Sequence, residues 1–249
     1  MLLMTVLPIC LYAKKPVRLH VAKGGTDTQN APTINYLRNV LLTALKRMGM
    51  EAELEIQRYG YYPKGMGEAT LTVIPQPSLK PIRLERFGKL QTIQGVSVCT
   101  FLADRKVAER QAEAAKKALF AHGLEARFQV VNDTSNTLQK GSSLALWAQT
   151  DTGALIGADA IGELKKSSEA VGLEAAEKLA TELAAMPTVD VNLADMLVPY
   201  VALAQGESTY TTRVLTDHLD ANIWLAEKIL KTKFTVEKSG NLFKVTTAG

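Results

Sequence analysis

An internal repeat restricts the fold most, because the order helix, strand, helix, strand, strand is predicted twice along the chain. The first copy is predicted at Met1 to Ala13, Val17 to Ala22, Asn30 to Gly49, Glu51 to Arg58 and Ala69 to Ile74. The second copy is predicted at Leu193 to Ala204, Ser208 to Thr212, His218 to Leu230, Lys233 to Lys238 and Leu242 to Thr246. The corners Gly25 to Tyr36 and Thr216 to Asn222 then become equivalent. Such corners bind ligands, since helix N-termini present free N–H groups.

The long helix of the first copy carries its own boundary signals. Asn30 is a candidate N-cap and Pro32 falls in the predicted first turn. Gly49 follows the last periodic residue. Its apolar residues at helical spacing are Ile34, Leu37, Leu41 and Leu45. We therefore expect a helix with one buried face.

The pattern changes between the copies, from about Ile93 to Pro187. The elements predicted there are Gly95 to Leu102, Val107 to His122, Ala126 to Val131, Ser143 to Gln149, Ala154 to Ala158 and Ser168 to Met186. The prediction is an α/β (α+β) fold in which repeated α-β-α-β-β units form a large domain (residues 1–92 and 188–249) with a smaller insert domain (residues 93–187). The polar loop Asn132 to Gly141 is expected to be exposed and mobile.

Composition indicates an ordinary globular protein, with 47% hydrophobic and 22% charged residues among 249. The net charge of +4 mildly favours an anionic partner, although Lys and Arg form no run. Cys10 and Cys99 lie in apolar surroundings without metal-ligand spacing, which indicates buried thiols in a reducing compartment and a cytoplasmic location.

The apolar start of the chain, Met1 to Ala13, has two interpretations. No Lys or Arg precedes it and no clear small-residue cleavage site follows it. It is also shorter than the roughly 20 residues that span a bilayer. A buried core helix is favoured over an export signal, and no membrane partner is expected.

The three histidines differ in context. His20 lies in a predicted strand without a recognisable partner, and His122 ends a helix before Gly123, where a cation complements the helix dipole. His218 falls in the first turn of a helix with Thr216 or Asp217 as N-cap. A neutral imidazole beside phosphates held at a helix start can attack phosphorus. The residues alone leave a structural and a catalytic role of His218 open.

Common catalytic motifs are missing from the sequence, including GxxxxGK[ST], GxSxG, HExxH and CxxC. The segment GYYPKGMG contains Lys64 and is glycine-rich, as a phosphate cradle is. A tight hairpin between two strands is favoured, because glycine clusters more often serve backbone geometry.

Five stretches, in this order, resemble RNA 3'-terminal phosphate cyclases. They are KGGTDTQNAPTINYL (Lys23 to Leu37), RYGYYPKGMGE (Arg58 to Glu68), GADAIGE (Gly157 to Glu163), LADMLVPYVALA (Leu193 to Ala204) and HLDANIWLAEKIL (His218 to Leu230). The resemblance covers nearly the whole chain, and GGTD with GYYPKG is quite specific. It implies a large domain of repeated α/β units with a smaller inserted domain, in agreement with the repeat.

The resemblance also implies an activity. The family uses ATP and a divalent metal ion (Mg or Mn) to convert the 3'-terminal phosphate of RNA to a 2',3'-cyclic phosphate. The residue matching His218 takes AMP from ATP and passes it to the RNA 3' end. By the same resemblance, Pro32 and Tyr36 would pack on adenine. The ATP pocket would be lined by Asn192, Leu193, Ala194, Asp195 and Met196, so the insert domain would contribute none of these residues.

Some positions depart from the family. Gly65 to Gly67 reads GMG where three glycines are usual, and Met4 and Met196 stand where glutamines are expected. Family members also carry an upstream EGGGQ segment, so the resemblance implies an N-terminally truncated member. A missing N-terminal segment or self-association with a second copy would then be required, and little activity is expected from the chain alone.

Two other classes of function compete with the enzyme. The same family contains a non-catalytic ribosome-biogenesis factor, but that branch lacks the nucleophilic histidine, which this chain keeps as His218. An inactive fragment is the related alternative. A plain RNA-binding module would need clusters of aromatic and basic residues, and only 6% of the residues are aromatic.

Overall fold

The computed structural model describes residues 2–248, and the predicted α/β fold class is confirmed. The first copy of the repeat contains α1 (Leu2–Cys10), β1 (Val17–Gly24), α2 (Ile34–Tyr36), a π-helical segment (Leu37–Leu41), α3 (Leu42–Arg47), β2 (Glu51–Arg58) and β3 (Gly67–Ile74). The middle contains β4 (Leu90–Thr100), a 3₁₀ turn (Ala103–Arg105), α4 (Val107–Ala121), β5 (Arg127–Asp133), β6 (Gly141–Thr150), β7 (Leu155–Ile161) and α5 (Ser168–Ala185). The last copy contains α6 (Val191–Leu203), β8 (Ser208–Thr212), α7 (Asp217–Leu230), β9 (Phe234–Ser239) and β10 (Leu242–Thr247).

The two copies have the same sheet topology. Each forms an antiparallel three-stranded sheet in which the third strand lies in the centre, in the orders β1-β3-β2 and β8-β10-β9. In each copy the last two strands form a hairpin, and a helix crosses from the first strand to the second. The repeat read from the sequence is therefore a repeat of three-dimensional units.

The long helix of the first copy begins later than predicted. Thr33, rather than Asn30, is the N-cap: its hydroxyl accepts a hydrogen bond of 3.2 Å from the backbone N–H of Tyr36. Asn30 lies before the helix in the left-handed region, with φ of 59°. Pro32 consequently precedes the first turn, and the segment before Thr33 is a surface loop.

The middle segment forms a four-stranded sheet in the order β5-β4-β6-β7, with β4 and β5 parallel and the other pairs antiparallel. One face packs on the core of the repeats through Val98 and Trp147. The other face packs on α4 and α5, where Leu144 and Ile156 meet Leu179. Coverage on both faces explains why β6 and β7 read as nearly continuous apolar runs.

The loop after β5 lies on the surface, as predicted, but one of its residues is anchored. Asn136 is 1% exposed, and its amide donates hydrogen bonds to the carbonyl oxygens of Tyr59 (2.8 Å) and Gly65 (3.1 Å). The loop is thus tied to the segment that joins β2 and β3. That segment is the hairpin connection favoured above.

The predictions for the two cysteines and for His122 are confirmed. Cys10 and Cys99 are buried free thiols, and His122 is the C-cap of α4. His20 lies in β1, where its Nδ1 is 3.1 Å from the hydroxyl of Thr70. No helix within residues 2–248 is both long enough and apolar enough to cross a bilayer.

Candidate functional site

The two equivalent corners of the repeats open into one cleft of about 930 Å³, here called the corner cleft. The loop of residues 28–32, before α2, forms one wall, and His218 and Asn222 of α7 form another. The first turns of α6 and the end of β7 close the cleft. The repeat thus brings together residues that lie far apart in sequence.

His218 is exposed to the corner cleft from the first turn of α7. This helix starts there because the Thr216 hydroxyl accepts a hydrogen bond of 3.1 Å from the backbone N–H of Leu219. Asn222 lies one turn further on, and its amide donates to the carbonyl oxygen of Asp195 at 3.3 Å. The two helices that carry His218 and Asp195 are therefore held together next to the cleft.

Asp195 is the acidic residue of α6 that lines the corner cleft. Burial raises the pKa of its carboxyl group to about 6, and the nearby His218 opposes this rise. Within residues 2–248, the carboxylate makes no hydrogen bond or ion pair, so it is available to accept a hydrogen bond from a ligand.

Five of the eight residues predicted for the site line the corner cleft. These are Pro32, Asn192, Asp195, Met196 and His218. Leu193 and Ala194 are fully buried, because they lie on the face of α6 that packs into the core and not on the face that lines the cleft. Met4, the other departure from the family pattern, also lines the cleft.

Tyr36 does not line the cleft, which corrects its predicted contact with adenine. Its side chain has no exposed surface, and its hydroxyl donates a hydrogen bond of 2.7 Å to Asp190 Oδ1. Asp190 is the N-cap of α6, and its Oδ2 accepts from the backbone N–H of Gly157 at 2.7 Å. Burial and the neighbouring Asp190 raise the pKa of Tyr36. Tyr36 is thus a core residue that joins α2 to α6.

The sequence analysis missed the contribution of residues 93–187 to the cleft. Asp159 and Glu163, at and beyond the end of β7, line it together with Glu174 and Lys178 of α5. Asp159 Oδ2 accepts a hydrogen bond of 2.7 Å from the backbone N–H of Thr33, which fixes the start of α2. Burial raises the pKa of the Asp159 carboxyl group. The stretch GADAIGE, noted only for its resemblance, contained this signal.

The described residues contain no group of three or more His, Cys, Asp or Glu side chains arranged to hold a metal ion. The corner cleft does hold single carboxylates, among them Asp195 and Asp159. Mg²⁺ is commonly bound by one or two carboxylates together with water and substrate phosphates. The side chains present fit a metal ion of that kind.

Repeated α-β-α-β-β units around a shared cleft define an α+β protein built by internal duplication. The model of the RNA 3'-terminal phosphate cyclase family matches residues 1–236. The chain belongs to this family.

Relatives agree with this assignment. The RNA 3'-terminal phosphate cyclase of Pyrobaculum neutrophilum is 42% identical over 245 residues, which cover 98% of this chain and 70% of the relative. The RNA 3'-terminal phosphate cyclase of Pyrobaculum aerophilum is 42% identical, and the match covers 96% of this chain and 68% of the relative. That of Thermococcus gammatolerans is 41% identical, and the match covers 86% of this chain and 61% of the relative. The names of these relatives support an RNA 3'-phosphate cyclase enzyme at the level of the family.

Proposed function

We propose that this chain uses ATP to convert an RNA 3'-terminal phosphate to a 2',3'-cyclic phosphate, with His218 as the nucleophile that carries AMP. The observation that carries the proposal is the position of His218. It is the exposed imidazole at the start of α7, and it faces the corner cleft in which both repeat corners meet. The free backbone N–H groups of the first turn of α7 favour a phosphate beside it.

In the first step, an unprotonated nitrogen of the His218 imidazole attacks the α-phosphorus of ATP. A P–N bond forms, the bond from the α-phosphorus to the bridging oxygen breaks, and pyrophosphate leaves with the electron pair. The imidazole must be neutral, because the protonated ring has no lone pair to donate. Its exposure to the cleft leaves the ring free to reach the phosphorus.

In the second step, an oxygen of the RNA 3'-phosphate attacks the same phosphorus, and the imidazole leaves. The product is an RNA-adenylate with a phosphoanhydride bond. The neighbouring 2'-hydroxyl then loses its proton and attacks the 3'-phosphorus, AMP leaves, and the cyclic phosphate closes. This last step is favoured because the hydroxyl is held next to the phosphorus at high effective concentration.

The other cleft residues have binding roles in this proposal. Asp195 accepts a hydrogen bond from the nucleotide, and exposed Asn192 offers a second polar contact. Pro32, Met196 and Met4 provide apolar surface for a base in place of polar contacts. A divalent ion held by Asp195 or Asp159 and by the phosphates would neutralise charge during the transfer.

The test is incubation with ATP that is radioactive at the α-phosphate, with Mg²⁺ or Mn²⁺ present. We expect protein-bound label that is labile in acid and stable in base, as a phosphoramidate is. His218→Ala should abolish it, whereas His122→Ala should retain it, because His122 caps α4 outside the cleft. Label that persists in His218→Ala would place the nucleophile elsewhere. An unlabelled wild-type chain would overturn the proposal and favour the non-catalytic class or the inactive fragment.

A further inference from the structure

A second cavity, of about 960 Å³, lies beside the corner cleft and is called here the basic cavity. Its walls are four loops: residues 61–63 after β2, residues 102–107 before α4, residues 139–142 at the start of β6 and residues 161–168 before α5. Gln29, Ile161 and Glu163 line both cavities, so the two share a rim. A ligand in one cavity can therefore extend into the other.

Positive charge dominates the walls of the basic cavity. Its basic residues are Arg105, Arg110, Lys140, Lys165 and Lys166. Arg110 and Lys166 pair with carboxylates of α5. The other three form no ion pair within residues 2–248, and the acidic groups of the lining are Glu163 and the buried Asp27. Such a surplus attracts a polyanion, because each phosphate contact releases a condensed counterion.

The basic cavity is also lined by the exposed aromatic ring of Tyr62. Tyr62 is 80% exposed and lies next to Pro63, and Leu164 is 98% exposed on the facing loop. Both line the cavity, where burying such rings and chains against a ligand is favourable. Single-stranded nucleic acids are bound by this combination of a positive groove and aromatic rings on which bases stack.

We propose that the basic cavity binds the ribonucleotides that precede the 3'-phosphate, so that the RNA strand crosses the shared rim to reach His218. This inference rests on the proposed function of the corner cleft. The cations hold the backbone and Tyr62 stacks on a base. The cavity recognises the charge of the RNA backbone and the flat faces of the bases, so the affinity depends little on base sequence.

The test measures binding of a fluorescent single-stranded RNA with a 3'-phosphate by anisotropy, without ATP. The variant combines Arg105→Gln, Lys140→Gln and Lys165→Gln, and the control combines Lys116→Gln, Lys117→Gln and Lys238→Gln. Both remove three exposed cations, but the control residues line neither cavity. We expect at least a tenfold loss of affinity in the first variant only. The slope of log affinity against log salt should become shallower by about 2, at about 0.7 per lost contact.

A second pair of variants tests stacking. Tyr62→Ala should weaken RNA binding about tenfold, the order expected for one stacked base. Tyr12→Ala, at an exposed tyrosine after α1, should leave binding unchanged.

Unchanged binding in the triple variant, or an equal loss in its control, would overturn the inference.

Labelling of His218 by ATP separates this inference from the proposed function. The triple variant should be labelled like the wild type, because its residues lie outside the corner cleft. Normal labelling with unchanged RNA affinity in that variant would refute the basic cavity alone. No labelling of the wild type would refute the function of the corner cleft, whatever the RNA affinity.

Discussion

The Tyr36 hydroxyl donates a hydrogen bond of 2.7 Å to Asp190 Oδ1, and both side chains are buried. Asp190 simultaneously caps α6 and accepts from the backbone N–H of Gly157 in β7. A Cβ atom at residue 157 would lie 2.4 Å from the Tyr36 ring, so only glycine permits this approach. One carboxylate therefore fastens both repeats and the middle sheet behind the corner cleft.

Tyr36→Phe should lower the free energy of unfolding by about 1–3 kcal/mol, because it leaves a buried carboxylate oxygen with one partner fewer. Urea unfolding measures this loss, and Tyr12→Phe at an exposed position is the control. Labelling by ATP should be unchanged under conditions in which the variant is folded. A lower affinity for ATP with unchanged stability would restore Tyr36 to the adenine site.

The stability of the chain should fall as the pH rises from about 4 to about 7. Burial raises the pKa of Asp27 to about 7 from 3.8, and the Thr26 hydroxyl opposes the rise. The folded state then keeps a proton that the unfolded state has released, so folding is favoured below this range and loses that advantage across it. Asp190, with a pKa of about 7 raised chiefly by burial, acts in the same direction.

Asp27→Asn should flatten this pH dependence, removing about 4 kcal/mol of the change, since the rise from 3.8 to about 7 is about three pKa units of about 1.4 kcal/mol each. Asp104→Asn, at an exposed residue, should leave the slope as in the wild type. Urea unfolding at intervals across the range measures both. A wild-type stability that increases with pH over the same range would contradict the assignment.

Asp195 should make ATP binding sensitive to mild acid. Because burial raises its pKa to about 6, the carboxylate becomes protonated below that pH and no longer carries the charge that favours a donor. Asp195→Asn should raise the KM for ATP in the labelling reaction about tenfold at neutral pH, the order of a hydrogen bond to a charged group. Asp220→Asn, which removes a nearby exposed charge, is the control.

The KM of Asp195→Asn is divided by the KM of the wild type at each pH. This ratio is independent of the titration of ATP itself, because that titration affects both reactions equally. It should fall towards one as the pH drops below about 6. A ratio that stays constant across this range would separate Asp195 from the nucleotide.

Asn136→Ala should destabilise the chain by about 1–3 kcal/mol, because two backbone carbonyl groups lose their buried donor. Asn241→Ala, at an exposed turn, should have little effect. Hydrogen exchange should speed up in residues 134–140, next to Lys140 of the basic cavity. Unchanged exchange there would show that Asn136 does not anchor the loop.

The repeat and its elements could be predicted from sequence because periodicity and turn residues are local signals. The strand Ser208–Thr212 was predicted with its observed bounds, and Thr216 was among the two predicted caps of α7. The start of the first long helix was missed, since both Asn30 and Thr33 are good caps and only the backbone conformation distinguishes them.

Residues of the corner cleft could be named from the sequence where one helix face carries them, and were missed where distant segments meet. His218 lies at one of the two corners that the repeat made equivalent, and Asp195 lies near the start of α6; both line the corner cleft. Asp159 enters the cleft through the packing of β7 against α2, which no local pattern encodes. Tyr36 was assigned to a ligand because sequence spacing does not reveal that its hydroxyl already has a buried partner.

The most direct test of the central claim follows the RNA end itself. A single-stranded RNA with a 3'-phosphate is incubated with the chain, ATP and Mg²⁺, and its end is then treated with phosphatase. We predict ends that resist phosphatase and become sensitive after acid opens the cyclic phosphate, with the wild type and His122→Ala but not with His218→Ala. Equal conversion by His218→Ala, or conversion without ATP, would contradict the account.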